Sequence, residues 1–315
     1  MPEILSFFAV YLTVFIFGMT VMRLGMEMLA KDKIKKILLR LTSSPFMGVV
    51  AGTLLTGILQ SSSAVMVITI GLVATGLLTF PRSLGIILGA NIGTTFTTEI
   101  ITFDISNGVI PLLVGGAFFI LLRKQVFFNI GCMMFGLGSI FVAMAGFEQL
   151  ASSIEKLTLV TSVFNYANEL HYVGIGIGTV VTAVIQSSTA TTGIIMSFLK
   201  QNSLSVDAGI AIMLGSNIGT CITAFIASIG TKKEAKLVAY AHIWLNLLGV
   251  IIFYPFISSL GNLAEYLTAI PDVQLAHASL LFNVICTVVA LPFIHLFSKF
   301  IIKLHGANDK NLSPF

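Results

Sequence analysis

Charge is what this chain lacks most. Asp, Glu, Lys and Arg make up 10% of its 315 residues, where a soluble domain carries about 25%. So few charges cannot cover the surface of even one water-exposed domain. Cysteine is scarce too: Cys132, Cys221 and Cys286 lie far apart in apolar runs. With no CxxC pair and no clustered His, they support neither a zinc site nor a disulfide framework, and read as small buried hydrophobes. No span carries an HExxH, paired carboxylates or a Ser beside a His, so the chain does not read as an enzyme and no cofactor is implied. What remains is apolar: 56% of the chain, with 25 Phe, demands burial and excludes disorder. The fold class is all-α integral membrane. The net charge of +4 marks the cytoplasmic side rather than a nucleic-acid partner.

Long apolar stretches predict spans at about 4–30, 82–103, 108–122, 126–146, 206–230, 237–260 and 274–300. Two further stretches, 45–80 and 171–204, have polar centres. The amino terminus lacks a basic n-region and reads as an uncleaved span. The basic clusters (Lys31 to Arg40; Arg123 and Lys124; Lys232, Lys233 and Lys236; Lys299 and Lys303) should all face the cytoplasm. An even number of crossings must then separate neighbouring clusters, so 45–80 and 171–204 each start and finish on one side. Each arm of about 15 residues would rise about 22 Å as helix, short of a hydrocarbon core of about 30 Å. Both stretches therefore read as re-entrant hairpins, the first entering from the cytoplasm and the second from outside. This places the amino terminus outside, the basic tail inside, and 147–170 along the outer surface. The run at 31–40 would rest on anionic headgroups of the bilayer.

A shift of 126 residues superimposes the two hairpins. Gln60-Ser61-Ser62-Ser63 meets Gln186-Ser187-Ser188-Thr189, and Asn91-Ile92-Gly93-Thr94 meets Asn217-Ile218-Gly219-Thr220; 48–95 against 174–221 gives 17 identities in 48 positions. Shared membrane composition would not keep two polar tetrads 31 residues apart twice. An odd number of crossings between the copies makes them two inverted-topology repeats, the architecture of secondary transporters. Each repeat would hold a hairpin and a broken helix, giving about seven full spans plus two hairpins. Residues 1–125 form the first repeat, 126–260 the second, and 261–315 an extra span with a short basic cytoplasmic tail.

In each hairpin the second arm begins near Ser62 or Ser188, leaving free N–H groups and a positive dipole end at the tip. Ser61, Ser62, Ser63, Ser187, Ser188 and Thr189 add hydroxyls, and Gln60 and Gln186 add amides. Two such tips meeting from opposite leaflets make an anion site. The ends of the first arms leave carbonyls that suit a cation such as sodium. Asn91, Thr94, Asn217 and Thr220 are expected to interrupt the following helices at turns rich in glycine (Gly89, Gly93, Gly215, Gly219). No fixed positive charge is expected there: Arg23 is the one Lys or Arg inside a predicted span core, and it lies outside both motifs. Co-bound cations would have to compensate a multivalent anion, which couples the two solutes. Glycines at 48, 52, 174 and 178 read as close-packing positions.

At these motifs the sequence resembles the sodium-dependent phosphate cotransporter family, the type II Na/Pi cotransporters and their bacterial relatives. The resemblance rests on the paired QSSS-like and G(A/S)NIGT segments and covers about residues 4–300. It implies a sodium-coupled symporter that imports inorganic phosphate across the cell membrane by alternating access. Phosphate would touch Gln60, Ser61, Ser62, Ser63, Gln186, Ser187, Ser188 and Thr189. Sodium would use Thr56, Gln60, Asn91, Thr94, Thr182, Gln186, Asn217 and Thr220. It also implies an elevator-like mechanism and a homodimer. A PhoU-like helical module follows the last span in many bacterial relatives, and this chain, which stops about 15 residues beyond its own, is expected to lack it. Sodium-coupled transport of another oxyanion or a carboxylate, and an anion channel, stand as alternatives.

Glu99 lies within an apolar run and reads as a sodium or proton group or as a solvated vestibule residue. Glu27 and Arg23, four apart, read as a pair. His242, His277 and His295 read as partner-bonded helix residues.

Overall fold

The computed structural model describes residues 2–41 and 44–306, with the side chains of 31–41 outside the described part. The expected headgroup contact of the basic run at 31–40 therefore falls outside the described residues. All elements described are helical. Helix α1 (Pro2–Leu41) precedes two short helices, α2 (Pro45–Leu59) and α3 (Ser62–Ala74), then α4 (Phe80–Ile100) and α5 (Val109–Ile120). Helix α6 (Gln125–Ile154) leads through α7 (Thr158–Glu169) to a second short pair, α8 (His171–Ile185) and α9 (Ser188–Lys200). Then come α10 (Val206–Gly219), α11 (Cys221–Ser228), α12 (Lys233–Phe253), α13 (Ile257–Leu267), α14 (Pro271–Ala290) and α15 (Ile294–His305).

Five helical stretches are long and apolar enough to cross a membrane: Pro2–Ala30, Gln125–Ile154, Val206–Ser228, Lys233–Leu267 and Pro271–His305. They answer to five of the seven expected spans. Helices α4 and α5 occupy the other two, and α5 has only 12 residues. The last two stretches are longer than the expected 237–260 and 274–300. Each is interrupted by a 3-10 turn, Tyr254–Phe256 and Leu291–Phe293, where Pro255 and Pro292 withdraw a backbone donor.

One expectation is corrected here. Helix α4 runs unbroken from Phe80 to Ile100 through Asn91–Thr94, whereas in the second copy α10 gives way to α11 at Thr220. In the first copy the glycines serve close approach instead of a break, and in the second they serve close approach beside one. A Cβ on Gly89 would lie 2.1 Å from Val49 O, and one on Gly215 2.0 Å from Ile175 O, positions that differ by the same 126 residues. The Thr53 hydroxyl donates to Gly89 O and the Thr179 hydroxyl to Gly215 O, both at 3.1 Å. Small residues let α2 lie against α4 and α8 against α10 with backbones nearly touching. The glycines at 52 and 178 belong to the same seams, with Ile86 O and Ile212 O at 2.4 and 1.9 Å from a would-be Cβ.

Two apolar clusters flank the centre. One joins Phe15, Ile140, Met196, Leu199, Ile212 and Phe282 around α9. The other joins Leu55, Met66, Ile70, Ile87, Val238 and Ile301 around α2 and α3. Helices α2 and α3 are thus seated in one packing nest and α9 in the other, with α8 adding the partly buried Ile175, Ile177 and Ile185.

Candidate functional site

Both connecting turns are built the same way. Helix α2 ends at Gln60, whose backbone is left-handed (φ 50, ψ 32), and α8 ends at Gln186 in the same conformation (φ 57, ψ 29). The next residue is extended and caps the following helix: Ser61 Oγ accepts from Ala64 N at 3.1 Å, and Ser187 Oγ accepts from Ala190 N at 3.2 Å. A glutamine in the left-handed region costs about 1–3 kcal/mol and persists where the surrounding structure over-determines it. The geometry ends one helix and starts the next within two residues and leaves the first N–H groups of α3 and α9 without intrahelical acceptors. Capping takes the Ser61 and Ser187 oxygens as acceptors and leaves their protons free to donate.

The two turns share one small cavity. All eight residues expected to touch phosphate line it: Gln60, Ser61, Ser62, Ser63, Gln186, Ser187, Ser188 and Thr189. Each second arm leans on the other copy: Ser63 Oγ lies 3.2 Å from Thr223 Oγ1 on α11, and Ser188 and Thr192 of α9 face Thr94, Thr95 and Thr98 of α4 across a still smaller cavity.

Of the residues expected to hold sodium, Gln60, Thr94, Gln186 and Thr220 line the shared cavity. Asn217 lines the smaller one, together with Ser279 and Asn283 of α14. Thr56 lies beneath the first turn, its hydroxyl fully buried without a partner among the described residues. Thr182 donates to the Thr191 hydroxyl at 2.8 Å. Asn91 stands apart from both polar cavities. Its amide donates to Asn246 Oδ1 of α12 at 2.7 Å, and Asn246 Nδ2 donates to Asn217 O at 2.9 Å.

The expectation of a site without fixed charge is corrected. Arg23 of α1 lines the shared cavity, and its Nε donates to the Gln60 carbonyl at 2.8 Å. It is the one charged residue among the described lining residues. The left-handed twist at Gln60 explains the encounter, because that carbonyl has left the helical ladder. Sequence spacing hid it: 37 residues separate the two, and Arg23 belongs to no motif. The available signal was the arginine's place inside an apolar span. Thr97, Thr223 and Asn246 were missed as well, since isolated polar residues on apolar helices are usually packing glue.

The two glutamines differ. Gln60 Nε2 donates to Gly57 O at 2.6 Å and its Oε1 accepts from the Thr97 hydroxyl, so the amide is largely committed to its own turn. The Gln186 side chain is exposed, with no partner among the described residues. Glu99 lines neither cavity and pairs with His277 Nδ1 at 2.9 Å. His242 is buried, and its Nδ1 has no partner among the described residues, unlike the partner-bonded ring expected.

Apolar helices around two converging polar turns define a membrane transport protein. The sequence pattern of the Na+/Pi-cotransporter family matches the chain twice, over residues 14–149 and 145–271. The chain belongs to that family, and phosphate transport is its class of work. It is 40% identical to the Bacillus subtilis protein YqeW over 95% of this chain and 97% of that one. It is 25% identical to Salmonella typhimurium YjbB, named for inorganic phosphate export, over 95% of this chain and 56% of the relative. It is 27% identical to rat sodium-dependent phosphate transport protein 2B over 43% of this chain and 20% of the relative. The chain thus spans about half the length of the YjbB relative. No solved structure matches.

Proposed function

We propose that the chain is a sodium-coupled symporter that imports inorganic phosphate by alternating access. The observation that carries this reading is the meeting of the two Gln-Ser-Ser turns in one cavity. Two helix N-termini aim their free N–H groups and positive dipole ends at one point, and six hydroxyls complete a shell of neutral donors suited to a tetrahedral oxyanion. The smaller adjoining cavity, lined by Thr94, Thr95, Thr98, Asn217, Ser279 and Asn283, offers the oxygen ligands a hard cation prefers. Ser188 borders both cavities, so an ion in one and an anion in the other would share a ligand, which is how binding of each favours the other.

In this reading the turns at 60–61 and 186–187 are tips of re-entrant hairpins entering from opposite faces, and the two copies are inverted repeats at 1–125 and 126–260. The amino terminus lies outside and α15 ends in the cytoplasm, with the protein in the cell membrane. The chain performs no chemistry on its substrate, and a homodimer is the expected assembly.

Radiolabelled phosphate uptake into proteoliposomes, with and without an inward sodium gradient, tests the proposal. Equal uptake in both conditions would overturn sodium coupling, and no uptake would overturn phosphate transport. Gln60→Ala and Ser188→Ala should each abolish sodium-dependent uptake. Sulfate, arsenate and carboxylates added as competitors rank the alternative substrates, and conductance without uphill accumulation would mark a channel. A second reading, phosphate export, is favoured by the name of the YjbB relative. Efflux from phosphate-loaded vesicles that exceeds sodium-driven uptake would select it.

A further inference from the structure

Arg23 is placed to do more than support a turn. Its Nε is fixed on the Gln60 carbonyl, and no other acceptor binds the guanidinium among the described residues. The two terminal amino groups therefore remain for something else in the cavity. The surrounding lining supplies hydroxyls, amides and helix N-termini but no carboxylate; the carboxylate that acts on the arginine's charge, Glu27 one turn further along α1, makes no hydrogen bond or ion pair with it among the described residues and lines a different, more open cavity. A guanidinium held at one edge presents a planar fork matched to two oxygens of a tetrahedral oxyanion.

We propose that Arg23 is the anion anchor of the cavity and that its single positive charge sets how many cations the substrate must bring with it. The inference rests on the phosphate reading above and deepens it. A monoanion on Arg23 is neutral without any cation. A dianion leaves one negative charge in a poorly solvated cavity and draws in one cation more. Sodium dependence then follows the valence of the anion rather than being a fixed property of the protein. Loss of the arginine raises the cation requirement of every substrate by one.

Phosphate analogues of fixed charge separate the cases at a single pH: difluorophosphate is a monoanion and monofluorophosphate a dianion near neutrality. The measurement is ligand-induced thermal stabilisation of the purified protein, in sodium or in choline, beside phosphate uptake in proteoliposomes. Wild type should be stabilised by difluorophosphate equally in both salts and by monofluorophosphate in sodium only. Arg23→Gln should need sodium for both analogues and should raise the half-saturating phosphate concentration at least about tenfold. Arg23→Lys keeps the charge and loses the fork, so it should keep the wild-type salt pattern with weaker binding, and it serves in place of Arg23→Gln should that variant fail to fold. If Arg23→Gln weakens all ligands evenly and leaves the salt pattern of wild type, Arg23 only positions Gln60 and the anchor is overturned. Unchanged affinity in Arg23→Lys and Arg23→Gln overturns it too. A wild type that binds neither analogue and takes up no phosphate instead defeats the phosphate reading on which the inference stands.

Discussion

The two Gln-Ser-Ser turns share a backbone and differ in almost everything around it. In the first pair the leading helix α2 is well buried, at Gly48, Val49, Ala51, Gly52, Leu55, Thr56 and Leu59, while α3 is buried on one side. In the second pair α8 buries only Gly174, Gly178 and Thr182, while α9 is buried at every residue from Thr189 to Leu199. Gln60 is bonded into its turn and Gln186 is exposed. Equal motifs therefore sit in unequal surroundings. Local sequence dictates the turn itself, because the left-handed glutamine and the serine cap need only neighbouring residues. The depth of each helix is decided by what packs on it from elsewhere in the chain.

Substitutions can break this comparison or sharpen it. The largest effect is expected at the backbone seams common to both copies. Gly178→Ala and Gly52→Ala push a methyl into a carbonyl oxygen and should each cost about 1–3 kcal/mol or more, read as lost thermal stability in detergent. Gly71 and Gly176, with nothing within 4 Å of a would-be Cβ, are the controls, and equal losses there would show that the seams are not tight. Next comes the glutamine asymmetry. Gln60→Ala should lower stability by about 1–3 kcal/mol, because Thr97 and Gly57 lose their partner, whereas Gln186→Ala should leave the melting temperature near wild type while still abolishing uptake. Equal melting temperatures would remove the asymmetry.

Smaller still, Ser61→Ala and Ser187→Ala each delete one helix cap and should cost about 1 kcal/mol apiece, the same in both copies. A clear inequality between them would show that the turns are less alike than their dihedral angles. The least effect lies at the loop after α4, where hydrogen bonds from the Ser106 hydroxyl and N–H hold the Asp104 carboxyl below its ordinary range. A depressed carboxylate stabilises its loop above the unfolded value and loses that as pH falls through the folded one. Ser106→Ala should move that loss to higher pH, seen as earlier hydrogen exchange at 101–108 on acidification, with no counterpart in the second copy.

Much of this was legible beforehand. The 126-residue shift located both turns, and the expected starts of the second arms near Ser62 and Ser188 are where α3 and α9 begin. Gly89 and Gly93 misled, because a glycine inside a helix signals either a break or a close neighbour, and only the facing carbonyl of Val49 tells which. Arg23 was hidden by distance along the chain, and Gln186 could not be told from Gln60 because their neighbours in sequence are so alike. Residues that act through distant helices, such as Asn246, Ser279 and Asn283, carry no local pattern at all.

Asn246 gives the molecule a mechanical property. One side chain on α12 fastens Asn91 of the first copy and the backbone at Asn217 of the second, so α4, α10 and α12 are riveted into a common chassis. Whatever travels when cargo is loaded and released must then be what hangs from that chassis, or else the rivet itself has to open on every cycle.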